Sequence, residues 1–341
     1  MSRASRSAFI WFASVSAAAV GAVAPAYAQA AGAGYEVVVT ATGRETALQN
    51  VPIAVTALTG EALLNAGIRD LRQIEQLAPS YHFQTGQSNS AGTTAYIRGL
   101  GTGGDNPGFE SAVGYFVDGV YRNRSGVALG ELPEVQRVEV LRGPQGTLFG
   151  RNTSAGAISV VTAGPAFTPH HYGEITGGDR DMMGAKLGLN GPLWGEKLAG
   201  RIDAAGLRQD GYIRDAVSGQ DINDKDRASL RGQLLFDISP EARLRLIADV
   251  AKVDEQCCGG IVVLAGPPAT VINAIAPGAI PLPLDPEARV MTVSPARNYG
   301  EKIDENGYSG QLDWDLGFGE LTSITAYRNW KARRNQDIDF T

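Results

Sequence analysis

The sequence RVEVLRGPQGTLFGRNTSAGAISVVT, residues 137–162, carries most of the information about the fold. In its first six residues, β-branched and aliphatic residues alternate with charged ones, which favours a strand. Gly143-Pro144 and Gly146 interrupt that strand, and residues 157–162 predict a second one. Two strands joined by a glycine-rich, arginine-bearing bend occur in many folds. The pattern by itself therefore predicts an α+β core and nothing narrower.

The N-terminus predicts an exported protein. Arg3 and Arg6 form a short positive region, residues 8–24 are almost wholly small or apolar, and Ala26-Tyr27-Ala28 has the form that signal peptidase cleaves. We therefore assign residues 1–28 to a signal peptide. The apolar run is too short for a good membrane-spanning helix. The mature chain is then either periplasmic or inserted as β-strands, because only helices and closed barrels satisfy their backbone in lipid.

The composition argues against several classes of function. Charged residues make up 19% of the chain, and its 43 glycines exceed the usual share of about 7%. The mature chain is acidic and has no dense Lys/Arg run, which argues against nucleic-acid binding. We find no acid/base pair, nucleophile constellation or metal cluster, so we expect neither an enzyme nor a cofactor. The three histidines, His82, His170 and His171, are too few and too scattered for a convincing metal site.

A valine-rich segment follows the predicted cleavage site. Residues 36–42, EVVVTAT, favour extended backbone, whereas residues 43–50 are polar and predict no local hairpin partner. An unpaired strand on a tether can add to the edge of a foreign sheet. The alternative is an ordinary N-terminal edge strand of the first domain.

The next segment mixes helical and extended patterns. Residues 51–58 predict a strand, and residues 60–67 a short helix that ends at glycine. Asp70 is a plausible N-cap for a second helix, which would place Leu71, Ile74 and Leu77 on one face. A change of composition at residues 164–169 marks the end of this domain.

From residue 170 onward the hydrophobic period is two. Connections of alternating length, short and then long, favour a transmembrane barrel over a soluble sandwich, with residues 179–181 as the one short exception. Aromatic residues fall beside the short turns, where an interfacial girdle belongs: Trp194, Phe236, Trp314 and Phe318. We predict about seven strands, at residues 171–178, 182–190, 198–209, 226–238, 243–254, 306–316 and 320–334.

Three motifs together resemble one family. Residues 137–162, the run YIRG at 96–99 and the run YFVDGVY at 115–121 are similar to the signature of TonB-dependent receptors, the energy-coupled importers of Gram-negative outer membranes. The resemblance implies an α+β plug domain followed by antiparallel transmembrane β-barrel strands. It divides the chain into residues 1–28 (signal peptide), 29–46 (TonB box and linker), 47–165 (plug domain) and 170–341 (N-terminal part of the barrel).

The resemblance also implies partners and a location. The chain would lie in the outer membrane, in contact with lipid, with the plug inside the barrel and a periplasmic N-terminus. TonB, which acts with its inner-membrane energising complex, would pair with residues 36–41 by strand addition of its periplasmic C-terminal domain. The residues of this TonB box are Glu36, Val37, Val38, Val39, Thr40 and Ala41.

The ligand expected from the resemblance is a scarce small molecule or metal chelate. A ferric siderophore is the default for the family, and cobalamin, haem, glycans and aromatic compounds are alternatives. The glycine-rich segments at 84–94 and 101–112 are expected to be loops that face the ligand. Candidate contact residues are Gln87, Asp105, Asn106 and Phe109.

The resemblance assigns a latch to the plug. Arg98, Arg142 and Glu139 would hold it inside the barrel, the arginines through bidentate pairs with barrel carboxylates that are specific yet breakable. The alternative is that these residues form ordinary surface ion pairs, each worth about 0–1 kcal/mol.

Two features leave alternatives open. Seven strands cannot close a plugged barrel of about 22 strands, so we expect an N-terminal fragment of a longer receptor or a truncated, non-transporting product.

Cys257 and Cys258 are adjacent in the longest outer connection. They could form a vicinal disulfide, remain free thiols or pair with cysteines elsewhere.

Overall fold

The computed structural model describes most of the chain after the predicted signal peptide. It covers residues 38–40, 43–44, 46–86, 88–89, 92–103, 106, 108–124, 126, 130, 132–275, 277–278, 280, 284–292 and 299–335. The signal peptide itself, residues 1–28, lies outside the described residues, and so do Glu36, Val37, Ala41, Gln87 and Asp105.

The first half of the described chain is a mixed α/β domain, which we name the mixed domain (residues 46–162). The strands and α-helices from the start of the described chain are β1 (Val38–Val39), β2 (Thr46–Ala47), β3 (Val55–Thr59), α1 (Gly60–Asn65), β4 (Tyr81–Thr85), β5 (Thr93–Ile97), β6 (Leu100–Gly101), β7 (Val113–Val117), β8 (Val120–Arg122), β9 (Val135–Arg142), α2 (Gly146–Phe149) and β10 (Gly156–Thr162). The central sheet of the mixed domain has five of these strands, in the order β3-β9-β10-β7-β8.

The deciding stretch, residues 137–162, forms two neighbouring strands as predicted. β9 and β10 pair antiparallel, with Gly156 opposite Arg142 and Val160 opposite Val138. The chain leaves β9 at Gly143, whose φ of +93° is readily adopted only by glycine. The α+β prediction for this part of the chain is confirmed.

The central sheet is apolar on both faces. Val138 and Val140 of β9 belong to one buried cluster, whereas Leu141 belongs to a second cluster on the other face. Within the first cluster, the hydroxyls of Tyr81 and Tyr115 lie 3.1 Å apart, and burial raises the pKa of both phenols. The mixed domain thus has two layers of core around one sheet.

The second apolar cluster includes the N-terminal strand β1, because Val39 is fully buried there. The prediction that this strand has no local partner is wrong. Val38 pairs with Ala47 and Val39 with Thr46, and Gly43, at a φ of +79°, donates its N–H to the carbonyl of Thr40 in the intervening turn. Backbone pairing makes few demands on side chains, so the polar character of residues 43–50 did not prevent it.

Two local predictions in the mixed domain are corrected. Asp70 does not start an α-helix: the structure has only a 3₁₀ turn at Gln73–Gln76, although Ile74 is buried as expected. Residues 84–94 are not simply an outward loop, since β4 and β5 pair as a hairpin across them.

The second half of the described chain is dominated by one antiparallel sheet of seven strands, which we name the large sheet. Its strands are β11 (His170–Gly178), β12 (Met182–Trp194), β13 (Leu198–Gln209), β16 (Lys225–Ser239), β17 (Ala242–Glu255), β19 (Gly300–Asp315) and β20 (Glu320–Asn335). They neighbour one another in that order across the sheet. All seven predicted strands are confirmed.

The two faces of the large sheet differ in polarity. Met183 and Tyr308 point away from the mixed domain and are 72% and 63% exposed. On the opposite face, Arg231 is only 7% exposed and is paired across the strands with Asp203 and Asp249. An apolar outer face and a polar inner face are what barrel strands in lipid require.

The connections alternate in length along most of the large sheet. Short ones follow β12, β16 and β19, and the exposed Trp194, Trp314 and Phe318 lie at this end. The long connections contain β14 (Ile213–Asp215), β15 (Asp221–Ile222), α3 (Pro268–Ile275) and β18 (Val290–Met291). We refer to the two ends as the short-turn end and the long-loop end.

Within the part of the chain that the structure describes, no helix is both long enough and apolar enough to cross a membrane.

Candidate functional site

Charged side chains fill the contact between the mixed domain and the large sheet. At its centre is Asp118, in the tight turn between β7 and β8, with a side chain only 2% exposed. Its carboxylate accepts hydrogen bonds from the N–H of Thr162 (3.0 Å) and the hydroxyl of Thr162 (2.9 Å). From the large sheet, Arg231 forms an ion pair with it, and Arg245 Nη1 lies 3.5 Å away.

In a second ionic contact the charges are reversed, because the mixed domain supplies the arginine and the large sheet supplies the carboxylates. Arg122 of the mixed domain inserts between two carboxylates of the large sheet: its Nη1 lies 2.8 Å from Glu305 Oε1 and 3.8 Å from Asp249 Oδ1. Arg328 also contacts both carboxylates, at 2.5 and 2.7 Å. Burial lowers the pKa of Arg122 and the two carboxylates oppose that shift, so the guanidinium stays a cation.

Two further contacts extend this charged interface. Arg201 of β13 bonds Asp203 of the same strand (2.7 Å) and Glu134 of the mixed domain (2.6 Å). Arg227 of β16 forms an ion pair with Glu255, and its Nη1 lies 3.6 Å from Asp70 Oδ2.

The tip of the β4–β5 hairpin docks on the large sheet near the long-loop end. Ser88 Oγ donates to Glu301 Oε1 (3.1 Å) and the N–H of Asn89 donates to Glu301 Oε2 (2.7 Å). The side-chain amide of Asn89 also donates to Glu255 (2.8 Å). Both residues are buried, so this part of the predicted ligand-facing loop instead contacts the sheet.

The chemistry of this interface suits a contact that can be opened. A buried ion pair contributes a net free energy near zero to stability, because desolvation of both charges offsets their attraction. Loss of one partner, however, costs about 3–5 kcal/mol. When an apolar interface of the same size opens, its exposure to water is purely unfavourable. When a charged interface opens, hydration of the separated charges offsets part of the free energy lost. The charged pairs therefore fix one docked geometry without making separation prohibitive.

The N-terminal strand is held against the opposite face of the mixed domain by Glu139. This carboxylate is fully buried and accepts hydrogen bonds from the N–H of Thr40 (2.8 Å), the hydroxyl of Thr40 (3.1 Å) and Nε of Arg137 (2.7 Å). Glu139 was predicted to belong to a latch between plug and barrel. Its hydrogen bonds to described residues lie within the mixed domain and its N-terminal extension, because Glu139 shares the β9 face of Leu141, away from Val138 and Val140 of the first core cluster.

We expect this clamp to control access to the N-terminal strand. Glu139→Ala leaves the Thr40 N–H without its acceptor, a loss of about 1–3 kcal/mol, and Thr40→Pro removes the same donor from the other side. Both should speed proteolytic cleavage of residues 36–46 by roughly tenfold, since local opening sets that rate. Glu61→Ala, which removes an exposed acidic side chain of α1, is the matched control. Unchanged cleavage in both test variants would show that the clamp does not hold the strand.

The other predicted latch residues have different surroundings. Arg98 is exposed, with a φ of +54°. The guanidinium of Arg142 lies 3.5 and 3.4 Å from the backbone carbonyls of Ala54 and Val55. Within the described residues, neither arginine reaches a carboxylate of the large sheet, and their latch role stays a prediction.

Two of the residues predicted to contact the ligand, Asn106 and Phe109, are described by the structure and lie on exposed turns. Phe109 is 58% exposed, and Asn106 is exposed with its Oδ1 accepting from the N–H of Gly108 (3.0 Å). Their contact with ligand stays a prediction, as do the predictions for Gln87 and Asp105. The two adjacent cysteines are joined as a Cys257–Cys258 disulfide.

The residues that carry the interface were not among the predicted site residues. Asp118 lies inside the run YFVDGVY at 115–121, and Arg231 and Asp249 occupy inward positions of predicted strands. Glu305 lies just before the predicted strand 306–316, because β19 begins earlier than predicted, at Gly300. A charged residue at an inward position of a β-strand was the available signal, since such a side chain needs a partner inside.

Comparison with known proteins gives one consistent result. Residues 47–157 match the family described as TonB-dependent Receptor Plug Domain. The pesticin receptor of Yersinia pestis is 30% identical over 189 residues, which are 55% of this chain and 27% of that receptor. The ferrioxamine B receptor of Salmonella typhimurium is 27% identical over 248 residues, which are 67% of this chain and 32% of that receptor.

Solved structures are similar in fold. The ferric yersiniabactin uptake receptor of Yersinia pestis has a TM-score of 0.69 at 21% identity, over 83% of this chain and 41% of that receptor. The pyoverdine outer membrane receptor of Pseudomonas aeruginosa has a TM-score of 0.65 at 16% identity, over 86% of this chain and 40% of that receptor. The chain therefore spans well under half the length of the relatives that it matches.

Proposed function

Because this chain carries the plug domain of a TonB-dependent receptor, followed by seven antiparallel strands of its barrel, we propose that it serves energised uptake across the outer membrane. The proposed solute is a scarce one, a ferric siderophore. The mixed domain is the plug domain, and the large sheet is the barrel wall. The observation that carries the proposal is the charged interface between them, centred on Asp118.

The names of the relatives support an iron-chelate ligand. The ferrioxamine B receptor and the ferric yersiniabactin uptake receptor are named for ferric siderophores, and the iron-regulated outer membrane virulence protein of Vibrio cholerae for its control by iron. The ligand would enter from the long-loop end, where Asn106 and Phe109 are candidate contacts.

TonB is the proposed partner of residues 36–41, by strand addition to Glu36, Val37, Val38, Val39, Thr40 and Ala41. A cleft lined by Thr40, Arg44, Lys197, Glu241 and Trp314 supports this assignment, because it brings the N-terminal segment to the short-turn end of the large sheet. In outer-membrane barrels the short turns are periplasmic, which is the side from which TonB acts.

The mechanism follows from how the N-terminal segment is attached. Pairing with TonB has to replace the β1–β2 pairing and withdraw Thr40 from Glu139. Since Glu139 lies in β9, an interior strand of the central sheet that is paired with β3 and β10, a pull on Thr40 loads that sheet directly. The same sheet carries Asp118 and Arg122 at its β7–β8 edge, so the load reaches the ion pairs with the barrel wall.

Ligand uptake by a deletion strain tests the proposal. Cells without the gene should lose uptake of one ⁵⁵Fe-labelled siderophore from a panel, and should regain it when the gene is restored. Labelled cobalamin, haem, a glycan and an aromatic acid test the alternative ligands in the same cells. Restoration of one of those solutes instead would replace the siderophore assignment, and no loss of any uptake would contradict a transport function.

A further inference from the structure

The strand pairing at the long-loop end places two sulfurs beside a buried carboxylate. β17 ends at Glu255, which is paired with Glu301 at the start of β19. The connection between these strands begins at Gln256, so Cys257 and Cys258 lie next to Glu301 from the first residues of the loop. Cys257 Sγ is 3.4 Å from Glu301 Oε2, and both side chains are buried.

We propose that the reduced Cys257–Cys258 pair and Glu301 form a binding site for a thiophilic divalent cation of the Zn²⁺ class. The two sulfurs and one carboxylate oxygen all lie within 4.8 Å of one another. Sulfur and oxygen ligands of a tetrahedral Zn²⁺ are about 3.5–3.8 Å apart, so small side-chain rotations suffice once the S–S bond is open. Two thiolates and one carboxylate leave the fourth position for water.

The site is controlled by oxidation state. In the disulfide, the two sulfurs are bonded to each other and offer no thiolate. A dithiol reductant supplies two electrons and two protons: the S–S bond breaks, two thiols form, and the reductant becomes a disulfide. Binding of the cation then releases both thiol protons to solvent, because the ligand is the thiolate.

Glu301 connects this site to the plug. Its Oε2 also accepts the N–H of Asn89 at the tip of the β4–β5 hairpin, and its Oε1 accepts the hydroxyl of Ser88. A cation that takes Oε2 competes with the Asn89 N–H for the same lone pairs. Metal binding under reducing conditions therefore weakens the attachment of the hairpin tip to the barrel wall.

Cadmium titration of the purified protein tests the site. The protein, as the cell makes it, is extracted from outer membranes in detergent, reduced with a phosphine and titrated with Cd²⁺, with ultraviolet thiolate-to-metal charge transfer as the readout. We expect one Cd²⁺ more per protein than in the Cys257→Ser/Cys258→Ser variant, and no such difference in the oxidised protein. A reduced protein that matches the double-serine variant would overturn the proposal.

Glu301→Gln distinguishes a three-donor site from a simple dithiol. It should keep the charge-transfer band but bind Cd²⁺ at least about tenfold more weakly. Asp254→Asn removes a carboxylate near the end of the neighbouring strand β17, outside the cluster, and this variant should bind Cd²⁺ like the unaltered protein. Equal affinity in the Glu301 variant and the Asp254 variant would exclude the carboxylate as a ligand. Heat-modifiable migration on gels checks that each variant is folded.

Discussion

We expect deletion of residues 36–42 to reduce energised uptake to the level of cells that lack TonB, while ligand binding at the cell surface is unchanged. The reason is that the proposed strand addition to TonB would act on the transport step alone. Binding to whole cells at low temperature and uptake in energised cells separate the two steps. Loss of surface binding in the deletion would show that the segment supports the receptor structure instead.

The deletion also removes Val39, a buried residue of the second core cluster, so a finer variant is needed. Val38→Pro removes one backbone donor from the strand and should reduce uptake nearly as strongly, since proline cannot take part in a ladder at that position. Val38→Ala keeps the backbone donor and is the matched control. If uptake survives Val38→Pro as well as Val38→Ala, residues 36–41 are not a TonB box.

The strands of the large sheet were predictable because each carries its own signal. A strand such as β16 has apolar and polar residues in alternation over its whole length, and that period depends only on which face meets which solvent. The motif at 137–162 was predictable for a related reason, since Gly143 fixes where β9 must end. Local sequence thus determined both the fold class and most strand boundaries.

The charged interface was not predictable in the same way. Asp118 and Arg231 are 113 positions apart, and their meeting depends on how the plug sits against the barrel wall. Several arginines on the inner face could have paired with Asp118, and the sequence does not rank them. The docking of Thr40 on Glu139, 99 positions away, has the same origin. Long-range polar contacts of this kind require the three-dimensional arrangement before any partner can be chosen.

The largest effect on plug docking is expected from Asp118→Asn. The substitution removes the negative charge that Arg231 and Arg245 face, and an uncompensated buried charge costs about 3–5 kcal/mol. The plug should leave its docked position more often, so small hydrophilic antibiotics should enter faster through the barrel. Sensitivity to such antibiotics and the amount of protein in the outer membrane are the measurements.

Two control variants test whether the Asp118 cluster itself is the latch. Asp237→Asn breaks an ion pair with the largely exposed Arg243 in the same barrel wall, where a loss of about 0–1 kcal/mol is expected and sensitivity should not change. Arg98→Ala with Arg142→Ala tests the arginines that the family resemblance had indicated. If only the Asp118 variant becomes sensitive, the gate is the Asp118 cluster. If only the double-alanine variant becomes sensitive, at normal protein levels, the latch lies at Arg98 and Arg142, where the resemblance assigned it. The ion pairs of Asp118 would then be structural, because a carboxylate that can be neutralised without leakage does not hold the plug in place.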